Sequence, residues 1–330
     1  MKILWTLVAI YGLVTGLDQL LSLNLSPAGP VLTALIFGLT HGTVRYGWKG
    51  ILSFLVLCLV ISNAFENLSI LTGFPFGEYH YTEYLGLKVF LVPLIIGPAY
   101  FSTGYIVWVL ATVLVGEVRR GGDWVTTISV PFIASFVMVL WDLAFDPSSS
   151  TVTKAWIWEQ GGGYFGVPIS NYLGWFFTVY LFYQSFALYL HFRKAGPEDA
   201  RAFPRAFYAQ PVVMYALIGL SFVLAYVMND SDSSVTDATG TVWSTASIIE
   251  TKAIVTICTI IFVSALSAVK LLQGSRSVAV GQHQAQEHGH DGDDDRPDDG
   301  VPDEVVDMER EVELVGEPRG ELQHRPIDDE

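Results

Sequence analysis

Charge is scarce in this chain. Asp, Glu, Lys and Arg make up 15% of its 330 residues, against 51% hydrophobic, a balance that excludes an ordinary water-soluble domain. Cysteine is scarcer still: Cys58 and Cys258 each sit in an apolar run, which excludes a disulfide framework and leaves them as small apolar packers. The apolar part has no H-x-x-x-H, no H-E-x-x-H and no histidine cluster, which argues against a di-iron desaturase or hydroxylase. No glycine-rich nucleotide loop follows a strand. No D-D-x-x-D pair stands on a helix where it could hold a diphosphate through magnesium.

Apolar runs are what the chain has in quantity. Several reach the roughly 20 residues needed to cross a bilayer as helix. The fold class expected is all-α, a polytopic membrane bundle of about eight helices: Ile3–Leu23, Ala28–Val44, Ile51–Leu71, Leu87–Val115, Trp124–Phe145, Asn171–Phe192, Phe207–Met228 and Thr245–Leu272. The fourth is overlong and carries Pro93, Gly97, Pro98 and Gly104, so a kink or break is expected there. Lys2 and the first apolar run allow a signal peptide, but Asp18 interrupts the run and no small-residue cleavage site stands out, so an uncleaved first helix is expected.

Basic residues set the orientation. The N-terminus and every second connection hold 11 of them, from Lys2, Arg45 and Lys49 to Lys270 and Arg276, whereas the alternate connections hold only Lys88 and Lys154. Both termini are therefore expected in the cytoplasm, with Asn24 and Asn229 in N-x-S sequons on the outer side. The formal charge of −15 is uneven. From Ser275 onward 18 acidic residues stand against 5 basic ones, a net of −13, which leaves −2 for the first 274 residues. Two parts follow: a transmembrane domain, 1–274, and an acidic cytoplasmic tail, 275–330, too polar to fold. In that tail His283, His288 and His290 read as solvated filler. Its acidity hints at a high-salt cytoplasm.

Ionisable groups inside a membrane are costly, so their positions carry information. Asp18, Glu66, Asp142, Asp146 and Glu250 all fall near the outer ends of their helices. Asn63, Glu66 and Asn67 share one helix face by their i, i+3, i+4 spacing, as do Asp142 and Asp146 at i, i+4; Pro147 is expected to end that helix. Two acid-bearing faces opening to one vestibule would make a site with water on one side and lipid on the other. Plainer readings compete: Asp146-Pro147 as a helix stop, Glu250 paired with Lys252 or Lys88, Asp18 bonded to Gln19 or a neighbouring helix, His41 as a polar bridge between helices, and the loop aromatics as an interface belt. The outer segments Phe74–Gly86 and Gly163–Trp175 also read as a weak repeat, each with Phe-Gly and then Tyr-Leu-Gly.

The motifs E-N-x-x-x-x-T-G-F-P-F-G-x-Y-x-Y (Glu66–Tyr81), V-P-L-I-I-G-P (Val92–Pro98), W-D-L-A-F-D-P (Trp141–Pro147) and G-x-Y-F-G-V-P-I-S-N-Y-L-G-W (Gly162–Trp175) resemble the membrane carotenoid hydratase family. The resemblance runs over roughly 51–190, and the tail lies outside it. It implies addition of water to the terminal double bonds of a long C50 carotenoid, giving tertiary alcohols, in the cell membrane. It implies no cofactor, and as partners membrane lipid, the carotenoid and other enzymes of carotenoid synthesis; neither a metal nor a nucleic acid is expected. The site residues come from the chemistry. Glu66 or Asp142 would donate the proton as a carboxylic acid kept neutral by burial, and Asp146 would position or deprotonate the water. Trp141, Phe76 and Tyr81 would steady the cation, Asn67 and Asn171 would hold water, and Tyr79 and Phe165 complete the substrate wall. The competing readings are a carotenoid-binding or transport protein and an end-group cyclase.

Overall fold

The computed structural model describes residues 1–21, 28–194, 196 and 201–273, all within one unit, Met1–Val280. The Asp18 side chain, Asn24 and the acidic tail lie outside the described residues.

Among the described residues seven helices build the bundle: α1 (Lys2–Leu21), α2 (Ala28–Thr72), α3 (Ile96–Val115), α4 (Trp124–Pro147), α5 (Ile169–Phe192), α6 (Arg205–Val227) and α7, which starts at Thr245 and runs to Gln273. Six of them are long and apolar enough to cross a membrane. Two expected helices are the arms of α2, a 45-residue element bent at Gly47, where φ is 72° and ψ 165°. That is left-handed space, open to glycine because it lacks Cβ.

The fourth expected helix is shorter than its apolar run. Lys88–Val89 (β2) and Val92–Pro93 (β3) form a hairpin, and helix begins at Ile96. Proline supplies no N–H to a helical ladder and disfavours helix in the residue before it. Pro147 is the last residue of α4, but the chain does not stop there. It widens into a π-turn, Ser148–Val152.

α3 is the axis of the bundle. Every residue from Tyr100 to Thr112 is buried, which requires packing on all sides. Around it Phe54, Trp108, Tyr183 and Phe186 interlock, with Trp108 Nε1 donating to Tyr46 Oη at 2.9 Å and Tyr183 Oη to the Gly104 carbonyl at 2.9 Å. Large apolar side chains face outward on the peripheral helices, among them Val56, Val60, Ile128, Phe132, Leu173, Leu220 and Ile254. Lipid is the solvent that suits them. His41 does bridge helices: Nε2 donates to the Phe207 carbonyl at 3.0 Å, so Nδ1 accepts from Tyr105 Oη at 2.6 Å.

At the end of the bundle away from the carboxylates, Arg45 meets Glu117 at 2.7 Å, with side-chain exposures of 2% and 28%. Burial alone would raise the Glu117 carboxyl, but the Arg45 guanidinium beside it holds it below the usual range. A carboxyl depressed by folding contributes stability above its unfolded pKa of about 4.3 and loses it as pH falls through the folded value. The protein in detergent is therefore expected to melt at a lower temperature at pH 3 than at pH 7. Glu117→Gln should show a smaller drop, and equal drops in both proteins would count against this role.

Candidate active site

Two short strands far apart in sequence make the roof of the site. β1 (Tyr79–Tyr81) pairs antiparallel with β4 (Trp156–Trp158), in the register Tyr79↔Trp158, His80↔Ile157 and Tyr81↔Trp156. Side chains alternate along a strand, so the two tyrosines and two tryptophans share one face. That face closes a cavity of ≈ 270 Å³ reaching down between α1, α2, α3, α4, α5 and α6.

The carboxylates converge there. Glu66, Asp142 and Asp146 all line the cavity, with Phe76, Tyr79, Tyr81, Trp141 and Asn171. Each acid is at most 3% exposed, and among the described residues none has an ion-pair partner. Neutral donors serve them instead. Glu66 accepts from three phenols: Tyr79 and Tyr81 (3.0 Å) on Oε2, and Tyr100 on Oε1 at 2.7 Å. Burial first, and the Glu66 carboxylate next, push the Tyr79 and Tyr81 phenols well above their ordinary range, so both keep their protons and donate.

Asp142 and Asp146, one helical turn apart, are tied by one amide. Asn171 Nδ2 donates to Asp142 Oδ2 at 2.9 Å and to Asp146 Oδ2 at 2.7 Å, and Trp156 Nε1 donates to Asp146 Oδ1 at 2.8 Å. Asp146 thus holds two donors and Asp142 one. Asp142 Oδ1 is without a hydrogen bond among the described residues. Below the acids the wall turns apolar, with Trp175 stacked on Tyr100 at 4.4 Å and Trp141 on Phe145 at 4.8 Å.

Two expected site residues lie elsewhere. Asn67 does not line the cavity. Its amide donates to the Asn63 carbonyl at 2.8 Å and its oxygen accepts from Leu91 N–H at 3.0 Å, which pins the β2–β3 turn. Phe165 packs on Trp243 instead, with its carbonyl held by Thr151 Oγ1 at 2.5 Å. Glu250 is exposed and pairs with neither lysine: Lys252 donates to Ser148 Oγ at 3.0 Å, and Lys88 to Glu83 and the Tyr81 carbonyl, each at 3.0 Å.

The apparent repeat does not give equivalent structures. Tyr84-Leu85-Gly86 lies in and just after a 3₁₀ turn that leads to a hairpin, whereas Tyr172-Leu173-Gly174 is inside α5. The two segments pack on each other instead: a Cβ on Gly174 would stand 2.7 Å from Phe76 Cδ1, so only glycine permits the approach.

Tyr100, Trp156, Trp158 and Trp175 line the site and were not among the expected residues. The alternation Y-H-Y and W-I-W is a strand signal that would have found the ribbon, and Trp175 is one turn on from Asn171. Tyr100 had no such mark.

Fold and site together define a polytopic helical membrane protein with a carboxyl-lined apolar cavity at one end. A family model described as "Carotenoid biosynthesis protein" matches residues 28–239, and the chain belongs to that family. No curated protein and no solved structure matches it.

Proposed function

We propose that the protein is a carotenoid hydratase that adds water to the terminal carbon–carbon double bonds of a C50 carotenoid, the conversion of bisanhydrobacterioruberin to bacterioruberin. The observation that carries this reading is the meeting of three buried carboxyls, served only by neutral donors, at one apolar cavity. Protonation of an alkene needs an acid held neutral in a dry site, and capture of the cation needs a base nearby.

The hydrogen-bond pattern divides the roles. Three donors favour the anionic form of Glu66, and two favour that of Asp146. Asp142, with one donor and a bare oxygen, is the acid. Its proton adds to the less substituted alkene carbon, and the π pair forms the new C–H bond. The tertiary cation left behind faces Trp141, Trp175 and the Glu66 carboxylate; each ring is worth about 0.5–2 kcal/mol. Water bonds to the cation and gives its proton to Asp146, which returns it to Asp142 through the pair they form across Asn171. The alkene and one water become a tertiary alcohol, with nothing oxidised or reduced.

At ≈ 270 Å³ the cavity is near the lower end of ligand pockets, about 300–1,000 Å³, and suits an end group rather than a whole polyene. The remainder would lie in lipid, and each end would enter in turn. A carrier or an end-group cyclase would use the same cavity but leave the carotenoid mass unchanged.

The test is expression in a host that accumulates the anhydro carotenoid, grown in ¹⁸O-labelled water. Pigments heavier by one labelled water per end are expected. Unchanged masses with the protein in the membrane would refute the hydratase reading and favour the carrier or cyclase.

A further inference from the structure

Cation capture needs water inside a cavity walled mostly by rings, and the β1–β4 ribbon has a second side. His80 and Ile157 point away from the acids and line another cavity, of ≈ 290 Å³. This one is polar. His80 is bonded to Glu159 there, and Lys154, Thr151 and Asp237 complete its wall.

Trp158 is the ribbon residue that borders both cavities. Its side chain is buried, at 5% exposure, yet its Nε1–H has no hydrogen-bond partner. Trp156, two residues earlier, spends its N–H on Asp146. A buried donor left unpaired is costly; Trp158 shares its ribbon face with Trp156 and stands beside the Asp146 carboxyl, where a water between indole and carboxyl is the partner that suits it. The π-turn Ser148–Val152 ties the two spaces together. It leaves α4 just after Asp146 and places Ser150 and Thr151 on the wall of the polar cavity. Such turns recur at functional sites.

We infer that the polar cavity is the water port of the site and that Trp158 is its positioning residue, its N–H holding the water that passes inward to the cation. This rests on the hydration reading above.

Protonation and capture can be read separately in membranes suspended in D₂O. Asp142 delivers a deuteron to the alkene CH. If the cation then loses a proton from that carbon, the recovered alkene carries deuterium; if water captures it, an alcohol forms. Trp158→Phe keeps the wall and removes the N–H. It is expected to lower the ratio of alcohol to deuterated alkene about tenfold, the effect of one lost donor, while exchange continues. In a second arm, Ala238→Cys in a Cys258→Ala background is labelled with a bulky maleimide. Ala238 is exposed and lines the port, so labelling should lower the same ratio. An unchanged ratio in Trp158→Phe, or in fully labelled Ala238→Cys, overturns the port. If Trp158→Phe does not fold, the labelled protein decides. Wild-type membranes that yield neither alcohol nor deuterium would instead overturn the hydratase reading.

Discussion

Asp142→Asn is expected to leave the carotenoid unhydrated at normal protein level, with alcohol formation down about 10²–10⁴-fold, the range for a positioned general acid. Asparagine is nearly isosteric. Its carbonyl can accept from Asn171 Nδ2 as Asp142 Oδ2 does at 2.9 Å, and its NH₂ then occupies the bare oxygen's place without strain. Only the transferable proton is lost. Asp146→Asn should behave differently. Asp146 accepts from both Trp156 and Asn171, and an amide offers one acceptor and sets its NH₂ against the other donor. Both stability and activity should then fall. Chromatography of pigments, read beside a membrane immunoblot, separates the two outcomes. Full conversion by Asp142→Asn would remove it as the acid.

The second large effect is structural. Glu117→Ala is expected to destabilise the bundle by about 3–5 kcal/mol, the cost of stranding a buried charge. Arg45 is 4% exposed, and its Nη2 relies on Glu117 and on Thr112 Oγ1 at 2.8 Å. Its Nη1 already lacks a hydrogen-bond partner, so loss of Glu117 leaves the guanidinium only neutral neighbours, Thr112 and the tyrosines around it. The double variant Arg45→Met/Glu117→Leu should recover most of the loss, because replacing a buried pair with apolar groups is often neutral. Thermal unfolding in detergent gives all three values. A single variant as stable as the parent would show that the pair contributes little.

The two effects belong to opposite ends of one bundle, and they differ in kind. The charge at Arg45 is matched and holds helices together. The carboxyls at the cavity have no cation among the described residues. That leaves them available for proton transfer at some cost in stability, a common feature of functional sites.

Much of this was legible from residue order alone. Hydropathy marked the helical segments, because a chain in lipid must satisfy its backbone internally over about 20 residues at a time. Local spacing placed Asp142 and Asp146 on one face, and Asn63, Glu66 and Asn67 on another. The identities of the acids were readable because charge in an apolar run is conspicuous.

What each side chain does was decided by contacts between distant residues. Asn67 shares its face with Glu66, yet turns to Asn63 and the Leu91 N–H, since a hairpin stands where helix was expected. Tyr100 reaches Glu66 across 34 residues, and Asn171 reaches Asp142 across 29. The ribbon joins Tyr79 to Trp158, and with it sets which rings face the acids and which groups face the second cavity. Helix periodicity is a local property, so sequence spacing reports it. The register of one element against another depends on side-chain fit between segments that spacing cannot compare, and only the folded chain brings those segments together.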